Sequence, residues 1–154
     1  MNIFFLDKCP IKAAKYLVNK HVVKMITESR QMMHIAHLHI QNPTIKITYR
    51  NHPCSIWVRK NRDNYLWLLE HALAIGQEYT FRYEKLHKSE VYIRENLMEP
   101  PDLPFLHPGI TFPALSMPDH CKISDDYVDC YREYYRKEKS SLFVWKNRER
   151  PDWL

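Results

Sequence analysis

Apolar residues recur at intervals of three and four along residues 11–39: Leu17, Val18, Val22, Met25, Ile26, Met32, Met33 and Ala36. This spacing lines one face of a helix and predicts a single long helix there. Gln41-Asn42-Pro43 ends it, because the residue before a proline is pushed toward extended backbone. Asn51-His52-Pro53 reads as a turn, with Pro53 suited to the first position of a short helix. Asn61 or Asp63 caps a second long helix reaching about Lys88, with Tyr65, Leu69, Ala72, Gly76, Tyr79 and Tyr83 on its inner face. One or two further turns of helix cover residues 89–97. Ser124 caps a last helix over residues 125–139, with acids in its first turn and basic residues in its last.

Three stretches break the helical pattern. Residues 2–6 are a short apolar run, read as a strand or an extended arm packed inside. Residues 44–49 alternate with β-branched side chains and read as extended. Residues 98–122 hold six prolines, which forbid regular helix. Phe105, Leu106, Phe112 and Leu115 in that loop are expected to pack it onto the body. The pattern is that of a mainly α fold: a compact single-domain helical bundle over residues 1–154 with a long Pro-rich loop.

Composition narrows the function. Hydrophobic residues make up 45% of the 154 and charged residues 27%, an ordinary globular balance. Two glycines, Gly76 and Gly109, cannot write a GxGxxG or GxxxxGK[ST] phosphate loop. Any phosphate must then be held by side chains and helix ends, and no cofactor is expected. No run of eighteen apolar residues is present, so no membrane span is expected. The start MNIFFLDKCP lacks a basic n-region and a long apolar stretch, so it does not read as a signal peptide. Cys9, Cys54, Cys121 and Cys130 form no CxxC pair and read as reduced thiols, which points to the cytoplasm. His34, His37 and His39 do not share a helix face, so no metal site is expected.

The net charge of +5 is unevenly spread. Residues 1–62 hold eleven Lys/Arg against two acids, while residues 63–124 hold five against nine. Such a field suits a polyanion, so DNA or a phosphate-bearing nucleotide is the expected partner. Advancing about 100° per residue from His21 places Lys24, Glu28 and Gln31 on one stripe at the margin of the apolar face. That is where pocket-lining polar groups sit. Glu28 is the one acid between Asp7 and Asp63. A lone carboxylate in a basic region suits general acid/base work. Lys24 is the matching amine nucleophile on the same stripe. Arg59 and Arg62 flank a helix start and suit phosphate contacts. His52, in the turn before them, suits a sugar or phosphate. Trp153 beside Arg150 offers a face for a base. The sequence leaves monomer and homo-oligomer both open.

These residues resemble a known family. Asn19-Lys20-His21, with Glu28 seven residues after the histidine, is similar to the first helix of the pyrimidine-dimer DNA glycosylases, the small endonuclease V proteins of phages. The closing Arg150-Pro151-Asp152-Trp153 looks like that family's C-terminal Arg-Pro-Thr-Trp. The turn with His52 leading into a long helix is similar as well. The opening MNIF and the KHVVKM…E segment also resemble a broader set of phage proteins. The resemblance implies a glycosylase/lyase in which an N-terminal α-amine attacks the sugar C1′ and Glu28 assists. It also implies that His21 is a DNA contact and that the chain works in a host cytoplasm. Two features depart from the family. Asn2 is bulky, which predicts retention of Met1 and makes its amine the counterpart of the family's amine. Thr27 and Gln31 stand where the family flanks its Glu with arginines. A second reading keeps the scaffold as a binder that sequesters or cleaves a free or cyclic nucleotide, such as an immune signal.

Overall fold

The computed structural model describes residues 1–154. It contains six α-helices and no β-strand. They are α1 (Pro10–Tyr16), α2 (Asn19–Gln41), α3 (Pro53–Lys60), α4 (Arg62–Tyr83), α5 (Lys88–Asn96) and α6 (Tyr127–Glu138). Short 3-10 turns cover Asp119–Cys121 and Ser140–Leu142. The fold is mainly α, as the periodicity predicts. No helix is long and apolar enough to cross a membrane.

The long helices α2 and α4 pack side by side, and α1 lies against α4. Leu17, Ile26, Met32, Met33, Leu68 and Ile75 are fully buried between them. Residues 2–6 form the extended arm rather than a strand, since they have no strand to pair with. Ile3, Phe4, Phe5 and Leu6 are all buried. Phe5 is locked by edge contacts with Trp57 and Tyr127 and by a tilted one with Trp67. The arm thereby carries the chain's first residues into the middle of the molecule.

The single helix expected over residues 11–39 is two helices. The chain turns extended at Leu17 and Val18. The cause is remote. Arg82, 1% exposed, reaches in from α4 and donates to the carbonyls of Leu17 (2.8 Å) and Lys15 (3.0 Å) and to the Asn19 side chain (3.1 Å). The Trp145 indole N–H takes the Tyr16 carbonyl at 2.9 Å. Side chains thus satisfy the last carbonyls of α1, as every buried helix end requires, and α2 is free to start in a new direction.

The other differences are smaller. Residues 44–49 are turns and irregular backbone, ending at Tyr49 with φ +64. Helix α4 stops at Tyr83, because Glu84 adopts left-handed backbone and its N–H closes on Thr80. Asp126, not Ser124, caps α6, accepting from the Val128 N–H. The Pro-rich stretch is anchored mainly by polar groups. Asn61 Nδ2 donates to the carbonyls of His107 and Gly109, and its Oδ1 accepts from the Leu106 N–H. Asn64 bonds both the backbone and the hydroxyl of Thr111. Phe105, Leu106 and Phe112 face solvent, contrary to expectation, whereas Leu103 and Pro113 are buried. The four cysteines are free thiols.

Two buried histidines make the fold acid-sensitive. Burial lowers His71 to about 4, partly offset by its bond to the Pro10 carbonyl. Burial, then Lys139 and Lys24, lowers His21 to about 4. Between pH 6.5 and 4 the unfolded chain therefore binds more protons than the native one, and stability falls as the pH drops through that window. Each histidine contributes a slope of roughly 1.4 kcal/mol per pH unit near pH 5. Urea unfolding at pH 7, 6 and 5 is expected to show this loss before most carboxylates titrate. A flat stability across that range would contradict it.

Candidate active site

The N-terminal arm, α2, the turn into α3, the end of the Pro-rich loop and α6 line an open cavity of about 530 Å³. Met1, His21, Lys24, Glu28 and His52 all line it. These residues were predicted from three separate parts of the chain, and the fold brings them together.

Glu28 is the hub. It is 8% exposed. Its Oε2 accepts the Asn2 backbone N–H at 2.8 Å and lies 3.8 Å from the Met1 amine. Its Oε1 pairs with Lys24 Nζ at 3.3 Å. One carboxylate thus faces two amines, one on each oxygen. The amine is held by its surroundings. Asn2 Nδ2 donates to the Ser116 carbonyl, and Asn2 Oδ1 accepts from Tyr131 Oη at 3.1 Å. Ser55 Oγ donates to the Met1 sulfur at 3.4 Å. The Met1 side chain is buried, whereas that of Lys24 is largely exposed. The α-amine is therefore the more rigidly placed of the two.

His21 stacks on Phe4 with ring centroids 4.4 Å apart. Its Nδ1 meets Tyr135 Oη at 2.5 Å. The fully buried Tyr135 hydroxyl is pushed well up by burial, so it stays protonated. With Nδ1 engaged, Nε2 is the ring nitrogen left for a ligand. His52 N-caps α3, its side chain accepting from the Cys54 N–H at 3.2 Å. Burial and the nearby amine lower its proton affinity, with Glu28 opposing.

The remaining predicted residues lie outside the cavity. Gln31 sits beyond Glu28 along α2, beside Arg30, His34 and Tyr92. Arg59 is used internally, donating to the Arg50 carbonyl at 2.6 Å. Arg62 is exposed, and the start of α4 that was expected to receive phosphate is covered by the Pro-rich loop: the Arg62 N–H goes to the Pro104 carbonyl and Asp63 takes the Gly109 N–H. Trp153 packs on Tyr16 and Tyr135, with Arg132 and Arg136 over its ring.

Ser116, Met117, Pro118, Tyr134 and Lys139 also line it, and sequence reasoning missed all five. They come from the loop and α6, far from the basic segment, and no local motif marks them. Lys139 Nζ stands 4.6 Å from the Tyr134 ring centroid. The Met1 amine, Lys24 and Lys139 make the cavity net positive around one carboxylate, which favours a phosphate-bearing ligand.

A family model described as pyrimidine dimer DNA glycosylase matches residues 1–90, more than half of the chain. The chain belongs to the pyrimidine dimer DNA glycosylase family. No curated protein and no solved structure matches it. The glycosylase match spans Met1, His21, Lys24, Glu28 and His52. It stops before Tyr134, Lys139 and the closing Arg150–Trp153 segment. A DNA glycosylase-type function and a DNA substrate follow from the family, which lends no support to the nucleotide-signal reading.

Proposed function

We propose that this glycosylase removes a damaged or modified base from DNA and then cleaves the strand. The observation that carries the reading is the Met1 amine 3.8 Å from a buried Glu28, at the floor of a cationic cavity. In the proposed step the unprotonated amine attacks C1′ of the damaged nucleotide. The glycosidic bond breaks and the base leaves with a proton. The amine nitrogen loses its protons as the sugar ring opens to an imine. Glu28 is the adjacent base and acid that moves those protons. Loss of a C2′ proton from the imine then expels the 3′ phosphate. Lys24 is the alternative amine, and its exposure makes it the better phosphate contact. His21 bonds the DNA through Nε2, and His52 flanks the entrance. A DNA substrate places this work inside a cell.

Incision of ultraviolet-irradiated plasmid against unirradiated plasmid tests the reading. Preferential nicking of the irradiated form supports it. Equal or absent nicking on ultraviolet-damaged and abasic DNA would sink it. Lys24→Ala is expected to weaken duplex binding and to lower the slope of log affinity against log salt by about 1, the signature of one lost phosphate contact. An unchanged slope, measured by fluorescence anisotropy, would remove Lys24 from the DNA interface.

A further inference from the structure

The Pro-rich loop rejoins the body at the Asp119–Cys121 turn, which packs on α6. At that joint a nitrogen of His120, the sulfur of Cys121 and a carboxylate oxygen of Glu138 all lie within 4.8 Å of one another. His120 Nε2 stands 2.8 Å from Glu138 Oε1 although the two are eighteen residues apart. Cys121 is fully buried, while His120 and Glu138 are exposed above it. Other nearby charges are already paired. Asp119 holds Lys122 at 2.6 Å, and Glu133 holds Arg136 and Lys137. The Cys130 thiol donates to the Ser124 carbonyl. Glu138 has His120 as its ionic partner, and the Cys121 sulfur faces the two.

We propose that His120, Cys121 and Glu138 bind a divalent transition-metal ion of the zinc class, with water completing the coordination. A thiolate and an imidazole together select zinc or its neighbours over magnesium and calcium, which take oxygen ligands. Ligand atoms about 2.0–2.3 Å from a tetrahedral ion sit roughly 3.5 Å from one another. The three atoms reach that spacing by small rotations of His120 and Glu138, both free to move at the surface. On binding, the Cys121 S–H proton passes to solvent and the thiolate takes the ion. The ion also displaces the His120–Glu138 hydrogen bond. Without metal, burial, then Glu138 and Glu133, hold the thiol up, and a dication in their midst reverses that balance.

The site lies outside residues 1–90, so it is a feature of this chain beyond the family match. Its place gives it a role. Met117 and Pro118 precede it, Lys139 follows it, and all three line the cavity. A bound ion would pin the loop end to α6 and set the width of that side of the cavity. It is a clamp on the rim and takes no part in breaking the glycosidic bond.

Cobalt titration of the metal-stripped full chain tests this without DNA, so it stands or falls separately from the glycosylase reading. One equivalent of Co²⁺ is expected to bind with a thiolate-to-cobalt charge-transfer band that one equivalent of Zn²⁺ bleaches. Cys121→Ser is expected to abolish the band. Glu138→Gln, at the surface, is expected to keep the fold and weaken cobalt binding roughly tenfold or more. No band in the wild-type chain would overturn the proposal. So would a band undiminished in Cys121→Ser, which would put the metal on Cys9, Cys54 or Cys130. If Cys121→Ser fails to fold, His120→Ala replaces it, and unchanged cobalt affinity there overturns the site equally.

Discussion

Glu28→Gln is expected to abolish turnover of damaged DNA while leaving the protein folded. The amide is the same size as the carboxylate, and its oxygen still accepts the Asn2 N–H that anchors the arm. The charge that faces the Met1 amine and Lys24 is lost, and with it the base that moves protons during imine formation. Removing a positioned acid/base group costs about 10²–10⁴-fold in rate. Stability is expected to change little. The Lys24–Glu28 pair is of the i,i+4 type with an exposed lysine, which is worth only about 0.2–0.5 kcal/mol. Duplex binding is expected to hold or tighten, because a negative charge leaves a cationic cavity. A gel-based incision time course beside a thermal melt separates these effects. Wild-type turnover by the variant would remove Glu28 from the chemistry.

Arg82→Met carries the largest expected loss of stability. All five guanidinium N–H groups are used: on Glu78, on Asn19 and on the carbonyls of Lys15 and Leu17. Methionine keeps much of the volume and supplies no donor. Glu78 retains Arg148 at 2.7 Å, so it is not left wholly unpaired. The buried Leu17 carbonyl is left unpaired, at roughly 1–3 kcal/mol, and the part-buried Lys15 carbonyl loses its donor at a smaller cost. A total of about 3–5 kcal/mol is expected, the range for breaking a buried ionic network. That is a large part of the roughly 5–15 kcal/mol that holds a domain folded. The break between α1 and α2 would loosen with it, and His21 lies in the first turn of α2. Urea unfolding measures the loss. A change below 1 kcal/mol would mean that the break is set by Leu17 and Val18 themselves.

That break marks the limit of what the sequence makes legible. The end of α2 at Asn42, the start of α3 at Pro53 and the placing of α5 follow from local chemistry, and local pattern predicts them. The turn at Leu17 depends on an arginine sixty-five residues away, so the apolar spacing runs through it without a mark. The loop shows the same division. Its prolines forbid helix, but its anchors are Asn61 and Asn64 rather than its phenylalanines. In the cavity, His21, Lys24 and Glu28 are legible because helical spacing alone puts them on one side of α2. Met1 is legible through the family resemblance. Asn2, Ser116, Tyr134 and Lys139 are not, because each reaches the cavity through tertiary packing. Arg59 and Arg62 mislead for the converse reason: their helix start looks open in the sequence, and a distant loop covers it.

In the proposed mechanism the Met1 α-amine is the nucleophile. Borohydride reduction during turnover of abasic or ultraviolet-damaged DNA tests it most directly, with peptide mapping of the trapped adduct. A covalent protein–DNA adduct on the N-terminal peptide, attached at the α-amine, is expected, with full trapping by Lys24→Ala. An adduct on Lys24, or the absence of any adduct while the DNA is still incised, would contradict it.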